Sequence, residues 1–396
     1  MTDLVLPIAP PMPRLSASRT VLIAVIGFLT LVDLFATQAI LPSLAQIYRV
    51  MPSEIGVAAN ASTLGMAIAG LLAGAFTGSV ERKRAISISL LLLSIPTATL
   101  AFAPNLQVFA LLRIVQGLFM ATAFTLTLTH LAERCAVRTP AALAAYVTGA
   151  VAANLIGRLA AALVAGLVGA ETSFLFFAAL NIAGALLCAV SLDRNTPDKV
   201  RDGQFWAAWL HHLRDPNLRR SFAIGFLILF GFIGVFTYVG FVLMRPPYSL
   251  SMTALGFVFL VFLPSMVTTP LAGSAVSKVG PSVALFGGLA LAIAGLGLLL
   301  LPSLAMVILG MAIVGVGTFF GQAVATGHVG RTATGDKAAA SGLYLSAYYS
   351  GGLAGAAVIG QLFDRFGWTA SLIGVGLALA LAAFLGLQLR AREENS

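Results

Sequence analysis

Apolar stretches long enough to cross a bilayer recur along the whole chain. They fall near 20–46, 53–78, 85–103, 105–130, 139–168, 173–191, 220–244, 252–275, 281–301, 303–329, 338–361 and 367–389, with charges, prolines and turn residues between them. About 20 apolar residues suffice for a helix to cross ~30 Å of hydrocarbon. Lipid offers no hydrogen bonds, so only helices and closed barrels can satisfy their backbone there. A barrel would show short alternating segments, and these runs are continuous. The predicted fold is therefore an all-α membrane protein with twelve transmembrane helices in two six-helix halves. Charged residues make up only 9% of the 396 positions, against about 25% in soluble domains.

The net charge of +9 would suggest a nucleic-acid partner in a soluble chain. Its distribution gives another reading. Eighteen of the 23 basic residues fall on one set of alternating loops and span ends, three on the other, and Arg113 and Arg158 lie inside spans. Basic loops stay in the cytoplasm, so both termini are expected there, and no nucleic acid is expected. The chain then divides into a cytoplasmic tail (1–19), a first bundle (20–191), a cytoplasmic linker (192–219), a second bundle (220–389) and a C-terminal tail (390–396). In the linker, FWAAWLHHL suits either a surface helix or a solvated connection, with His211 and His212 in water. Cys135 and Cys188 match no metal or disulfide framework and read as reduced thiols. No phosphate loop or metal spacing occurs, so neither an enzyme nor a cofactor is expected. GSVERKR (78–84) and GSAVSKVG (273–280) follow the second and eighth runs, a weak repeat that suggests two similar halves with a site between them.

The deep charges are the sharpest functional signal. Asp33, in LTLVDLFATQAILP, lies ~20 Å along its helix from the cytoplasmic end, and Arg113, in LLRIVQG, ~25 Å along the fourth. An intramembrane acid points to a carrier of protons or ions, or to a partner for a cation. A nearby guanidinium and desolvation act in opposite directions on a carboxyl. Their balance can favour protonation in one conformation and release in another. A static ion pair between helices is the other reading. Arg158 has two readings as well, an anchor for an anionic substrate group or a brace between the halves. Gln38, Asn154, Asn181, Tyr238, Gln322, Tyr344 and Tyr348 are candidates to line a cavity, and GFLILFGFIGVF (225–236) to form an aromatic wall. Glu81, Arg82, Lys83 and Arg84 read as a gate latch or as orienting charge alone.

These elements resemble the major facilitator superfamily. RIVQG (113–117) is similar to its fourth-span Arg-x-x-Gln-Gly element, and GSVERKR to its loop element, with Glu81 where an Asp is usual. GAVAANLIGR (149–158) stands in the place of the antiporter motif but lacks that motif's Gly-Pro pair. ILPSLAQIY, GRLAAAL, YVGFVLMRPPYSLS and SGLYLSAYYSGGLAGA resemble bacterial drug and sugar efflux permeases. The resemblance implies a monomeric inner-membrane transporter that exports a small organic molecule in exchange for protons by a rocker switch. On that pattern Asp33 and Arg113 couple the proton. Gln38, Asn154, Arg158, Tyr238, Gln322 and Tyr344 bind substrate. Gly78, Glu81, Arg82, Arg84, Gln116 and Gly117 serve gating. An uptake symporter, a proton-independent facilitator and a lipid flippase are the alternatives.

Overall fold

The computed structural model describes residues 16–76, 81–134, 139–193 and 205–389, which are overwhelmingly helical. The polar residues that interrupt the apolar runs become helix starts. Ser16 caps α1 (Ala17–Ala39) by accepting from the Arg19 amide. α2 (Leu41–Tyr48) extends it after a break at Ile40, and α3 (Pro52–Phe76) returns. α4 (Arg82–Leu100), α5 (Leu106–Arg134), α6 (Thr139–Val168) and α7 (Ala170–Ser191) complete the first half. After the linker helix α8 (Phe205–Arg214), Asp215 caps α9 (Pro216–Leu243). Its carboxylate accepts from the Asn217 and Leu218 amides at 2.8 and 3.4 Å, and Pro216 supplies the first helical φ.

Next come α10 (Met252–Val258), a tighter turn at Phe259–Phe262, α11 (Leu263–Thr268), a second tight turn at Thr269–Leu271, and α12 (Ala272–Leu298). α13 (Leu304–Thr332) and α14 (Lys337–Leu387) finish the chain, with Asp336 capping α14.

Among the described residues, ten helical segments are long and apolar enough to cross a membrane. Two of them, Met252–Leu298 with 47 residues and Lys337–Leu387 with 51, would extend ~70 Å or more if straight. That is over twice the thickness of the hydrocarbon layer. Each turns at one glycine. Gly280 has φ 80° and ψ 163°, and Gly367 has φ 80° and ψ −171°, a region closed to residues with a Cβ. Pro281 then opens the next helix with no amide left to satisfy. Each long segment therefore covers two of the apolar runs predicted from sequence, joined without a loop.

The outside of the bundle is apolar. Leu167 and Val190 are 80% and 84% exposed, as suits contact with acyl chains. Inside, small residues let helices touch. α3 and α5 meet where Gly117 faces the Ser62 carbonyl and Gly65 faces that of Ile114. Any Cβ at Gly117 would collide with backbone there. The two halves meet along α3 and α14 and where α6 packs on α10. At one end of this seam the Ser53 amide donates to the Asp364 carboxylate at 3.1 Å. Toward the other end, Gly70 and Gly342 face each other.

Candidate functional site

Two polar clusters lie inside the apolar body. The first belongs wholly to the first half. Asp33 on α1 is the one acidic side chain in the buried class among the described residues. Its carboxylate accepts from Asn181 Nδ2 of α7 at 2.6 Å and from Thr97 Oγ1 of α4 at 3.4 Å. Thr97 has a single hydroxyl proton, and the Leu93 carbonyl at 2.8 Å competes for it. Arg113 on α5 is fully buried beside them. Its guanidinium does not clasp the Asp33 carboxylate, as a simple ion pair would. Nη1 donates to the Asp33 main-chain carbonyl at 3.3 Å, Nε to the Ala59 carbonyl at 2.7 Å and Nη2 to Ser62 Oγ at 2.9 Å.

Gln116, one turn along α5, joins the two charges. Its Oε1 accepts from Arg113, and its Nε2 donates to Thr97 Oγ1 at 2.8 Å. RIVQG is thereby explained residue by residue. Arg113 and Gln116 make the relay, and Gly117 brings α3 close enough for Ser62 and Ala59 to serve as acceptors.

The second cluster bridges the halves. Arg158 on α6 is fully buried, and its Nη2 donates to Gln38 Oε1 on α1. Gln38 Nε2 donates to Asn60 Oδ1 on α3 at 2.9 Å, and Asn60 Nδ2 donates to Thr237 Oγ1 on α9 at 3.1 Å. Five phenylalanines surround the guanidinium. Phe259 and Phe262 are each 4.7 Å from its central carbon, and Phe35, Phe236 and Phe232 lie at 5.4, 5.6 and 5.7 Å. The clusters touch through adjacent positions. Ala59 accepts from Arg113, and Asn60 accepts from Gln38.

The other predicted residues are placed as follows. Asn154 is buried one turn from Arg158, and neither of its amide atoms has a hydrogen-bond partner. Tyr238 fills the seam between Gly56 and Gly360, and its hydroxyl donates to the Ala356 carbonyl at 2.5 Å. Gln322 lies half-buried on α13, one turn beyond Phe319, whose ring meets Phe232 and Phe262. Tyr344 packs on Gly225 and accepts from Thr326 Oγ1 at 3.2 Å. Gly225 lies two turns, ~10 Å, from Phe232 on α9, so Tyr344 stands apart from the phenylalanine cage.

At the loop, Glu81 pairs with Arg84 at 3.1 Å within its own turn, and Arg82 is buried. Gly78 and Cys135 lie outside the described residues. His212, expected in water, is instead 1% exposed, because α8 docks on the start of α14 and the ring bonds the Asp336 carbonyl at 2.8 Å. Asn60, Ser62, Thr97 and Thr237 were not distinguishable by sequence, since hydroxyls and amides occur on most of the spans. The one available signal was that Asn60 is the single amide in the run 53–78.

The structure is a two-half helical bundle with a buried polar chain across its seam. The family profile described as Major Facilitator Superfamily matches residues 23–266, and this chain belongs to that family. It is 27% identical over 363 residues to the uncharacterized MFS-type transporter YybF of Bacillus subtilis (strain 168), covering 91% of this chain and 90% of that one. It is 26% identical over 370 residues to the inner membrane transport protein YnfM of Escherichia coli (strain K12), covering 92% and 89%. Solved structures share the fold, two transporters among them. A bacterial homologue of the human lysosomal transporter Spinster, inward-facing and occupied, superposes with TM-score 0.76 at 16% identity, covering 93% of this chain and 96% of that one. The nucleoside transporter NupG superposes with TM-score 0.73 at 14% identity, covering 94% and 100%. The chain is thus a multi-pass secondary transporter of the superfamily.

Proposed function

We propose that this transporter exports a small organic molecule in exchange for protons, with Asp33 carrying the proton and Arg113 modulating it. One observation carries the reading. The single buried acid among the described residues is held by an amide and a hydroxyl, while the guanidinium stands one relay away. A carboxyl with neutral partners can gain or lose a proton without tearing apart an ion pair. The relay through Gln116 and Thr97 lets Arg113 feel the change. The contact of Ala59 and Asn60 on α3 offers the route by which that change reaches the seam. Cargo binds at the seam, near Gln38, Asn154 and Arg158.

The proposal includes twelve crossings, both termini in the cytoplasm, a bacterial inner-membrane location and a monomeric state. The basic asymmetry of the loops and the broken double-length segments support the first two.

Asp33→Asn is the test. Purified protein in liposomes with an internal pH dye is expected to lose substrate-dependent proton movement, while exchange of labelled substrate without a gradient persists. Undiminished proton-driven transport by Asp33→Asn would overturn the assignment. Exchange of labelled substrate by both proteins with no substrate-dependent proton movement in either would favour a proton-independent facilitator.

A further inference from the structure

The environment of Arg158 is more specific than a brace between helices requires. A guanidinium carries five N–H donors. Here one nitrogen, Nη2, meets Gln38, while Nε and Nη1 have no partner. Gln38 takes one of the two Nη2 hydrogens. If it takes the one on the Nη1 side, the Nε–Nη2 fork is open. If it takes the other, the Nη1–Nη2 fork is open. Either way, one complete two-pronged donor set remains, the geometry that accepts a carboxylate through two parallel bonds. Among the described residues no acid completes the site, because Asp33 belongs to the neighbouring network and Asp364 to the end of the seam.

The surroundings of that fork narrow the occupant. Phe35 comes from the first half, and Phe232, Phe236, Phe259 and Phe262 from the second. The cage is therefore shared between the two halves. Aromatic faces steady a cation in the empty site, and they form an apolar wall for a ligand's carbon skeleton. Asn154, one turn from Arg158, holds a free donor and a free acceptor for a further polar group. Ser265 Oγ is buried and unpartnered, and it shares the contact with Gly315 made by Phe262.

We infer that Arg158, with Gln38, Asn154 and the five phenylalanines, forms the binding site for a small organic monocarboxylate with an aromatic or branched apolar body. The inference rests on the reading that cargo sits between the halves. A lone guanidinium matches one negative charge, so di-anions and phosphates lack a second cation. A neutral amide offers the fork a single uncharged acceptor, and a cation offers none.

The test compares phenylacetate, phenylacetamide and phenethylamine for binding to purified wild-type protein by titration calorimetry, with benzoate and isovalerate as further acids. Phenylacetate is expected to bind roughly 10- to 100-fold more tightly than its amide, the range that a charge-assisted bond to a buried group supplies. The amine is expected not to bind. Arg158→Gln is expected to erase the preference of acid over amide while remaining monodisperse. Equal binding of amide and acid by the wild type would overturn the site, and this comparison needs no variant. Retained acid preference in Arg158→Gln, or no binding of any of the three acids at millimolar concentration, would overturn it too.

Binding needs no gradient, so the two proposals can fail separately. If phenylacetate binds through Arg158 yet does not cross liposomes, the transport reading of the site falls. If a neutral or cationic compound is transported undiminished by Arg158→Gln, the carboxylate site falls and the transport reading stands.

Discussion

Thr237→Val removes one hydroxyl from the seam and little else. Valine keeps the branched shape, and Thr237 is buried, so packing is nearly preserved. The lost bond is the 3.1 Å donation from Asn60, the side-chain link from the Arg158 chain to the second half. Asn60 Nδ2 retains the Gly56 carbonyl at 2.8 Å, so no orphaned donor adds to the cost. Interhelical side-chain bonds in membrane proteins average about 0.6 kcal/mol and reach about 1.7. If that bond exists only with the halves together, losing it shifts the closed population about three- to twenty-fold toward the open one. Spin labels at the exposed Arg49 and Arg365 positions would report it in a background with Cys135 and Cys188 replaced by alanine. The ratio of the longer-distance to the shorter-distance population is expected to grow by that factor. An unchanged distance distribution in Thr237→Val would refute the idea that this bond holds the seam.

Gln116→Leu breaks the relay at both ends and is expected to cost about 1–3 kcal/mol in detergent unfolding, because Arg113 and Thr97 each lose a partner. Gly117→Val drives a side chain into the Ser62 backbone and is expected to lower the melting temperature and the yield of folded protein, with a penalty of about 1–3 kcal/mol. Asp215→Ala strips the cap of α9 and is expected to cost about 1 kcal/mol by the same assay. Arg84→Ala breaks only the local pair with Glu81, in which Arg84 is 72% exposed. Unfolding is expected to change by less than about 0.5 kcal/mol, and a larger loss would show that the pair latches something beyond its own turn.

The helical class and the deep charges were legible because lipid punishes exceptions. Continuous apolar runs leave few folds available, and a carboxylate among them stands out. Depth was legible too, since residues map onto distance along a helix. What the sequence does not carry is the angle around each helix. Asp33 and Arg113 share a depth, yet Asn181 and Thr97 take the carboxylate and backbone carbonyls take much of the guanidinium. Asn181 was visible as a polar residue in a span, but its partner was not.

The phenylalanine cage was half-visible. The aromatic stretch of α9 contributes Phe232 and Phe236, whereas Phe259 and Phe262 converge on Arg158 from a tight turn that periodicity does not announce. The joins at Gly280 and Gly367 were hidden for the opposite reason: a single glycine conformation replaces the polar loop that usually separates two crossings.

The Asp33–Arg113 network uses α1, α3, α4, α5 and α7 and, among the described residues, nothing from the second half. The second half contributes the Thr237 hydroxyl and four of the five rings around Arg158. On the proposed reading, the drive lies in the first half, while the cargo site is shared between the two halves. On that reading, replacing α9 and the Phe259–Phe262 turn with those of a relative is expected to reshape the apolar wall of the site while leaving the Arg158 fork and the Asp33 network in place. Chimaeras divided in the linker would then exchange that wall alone.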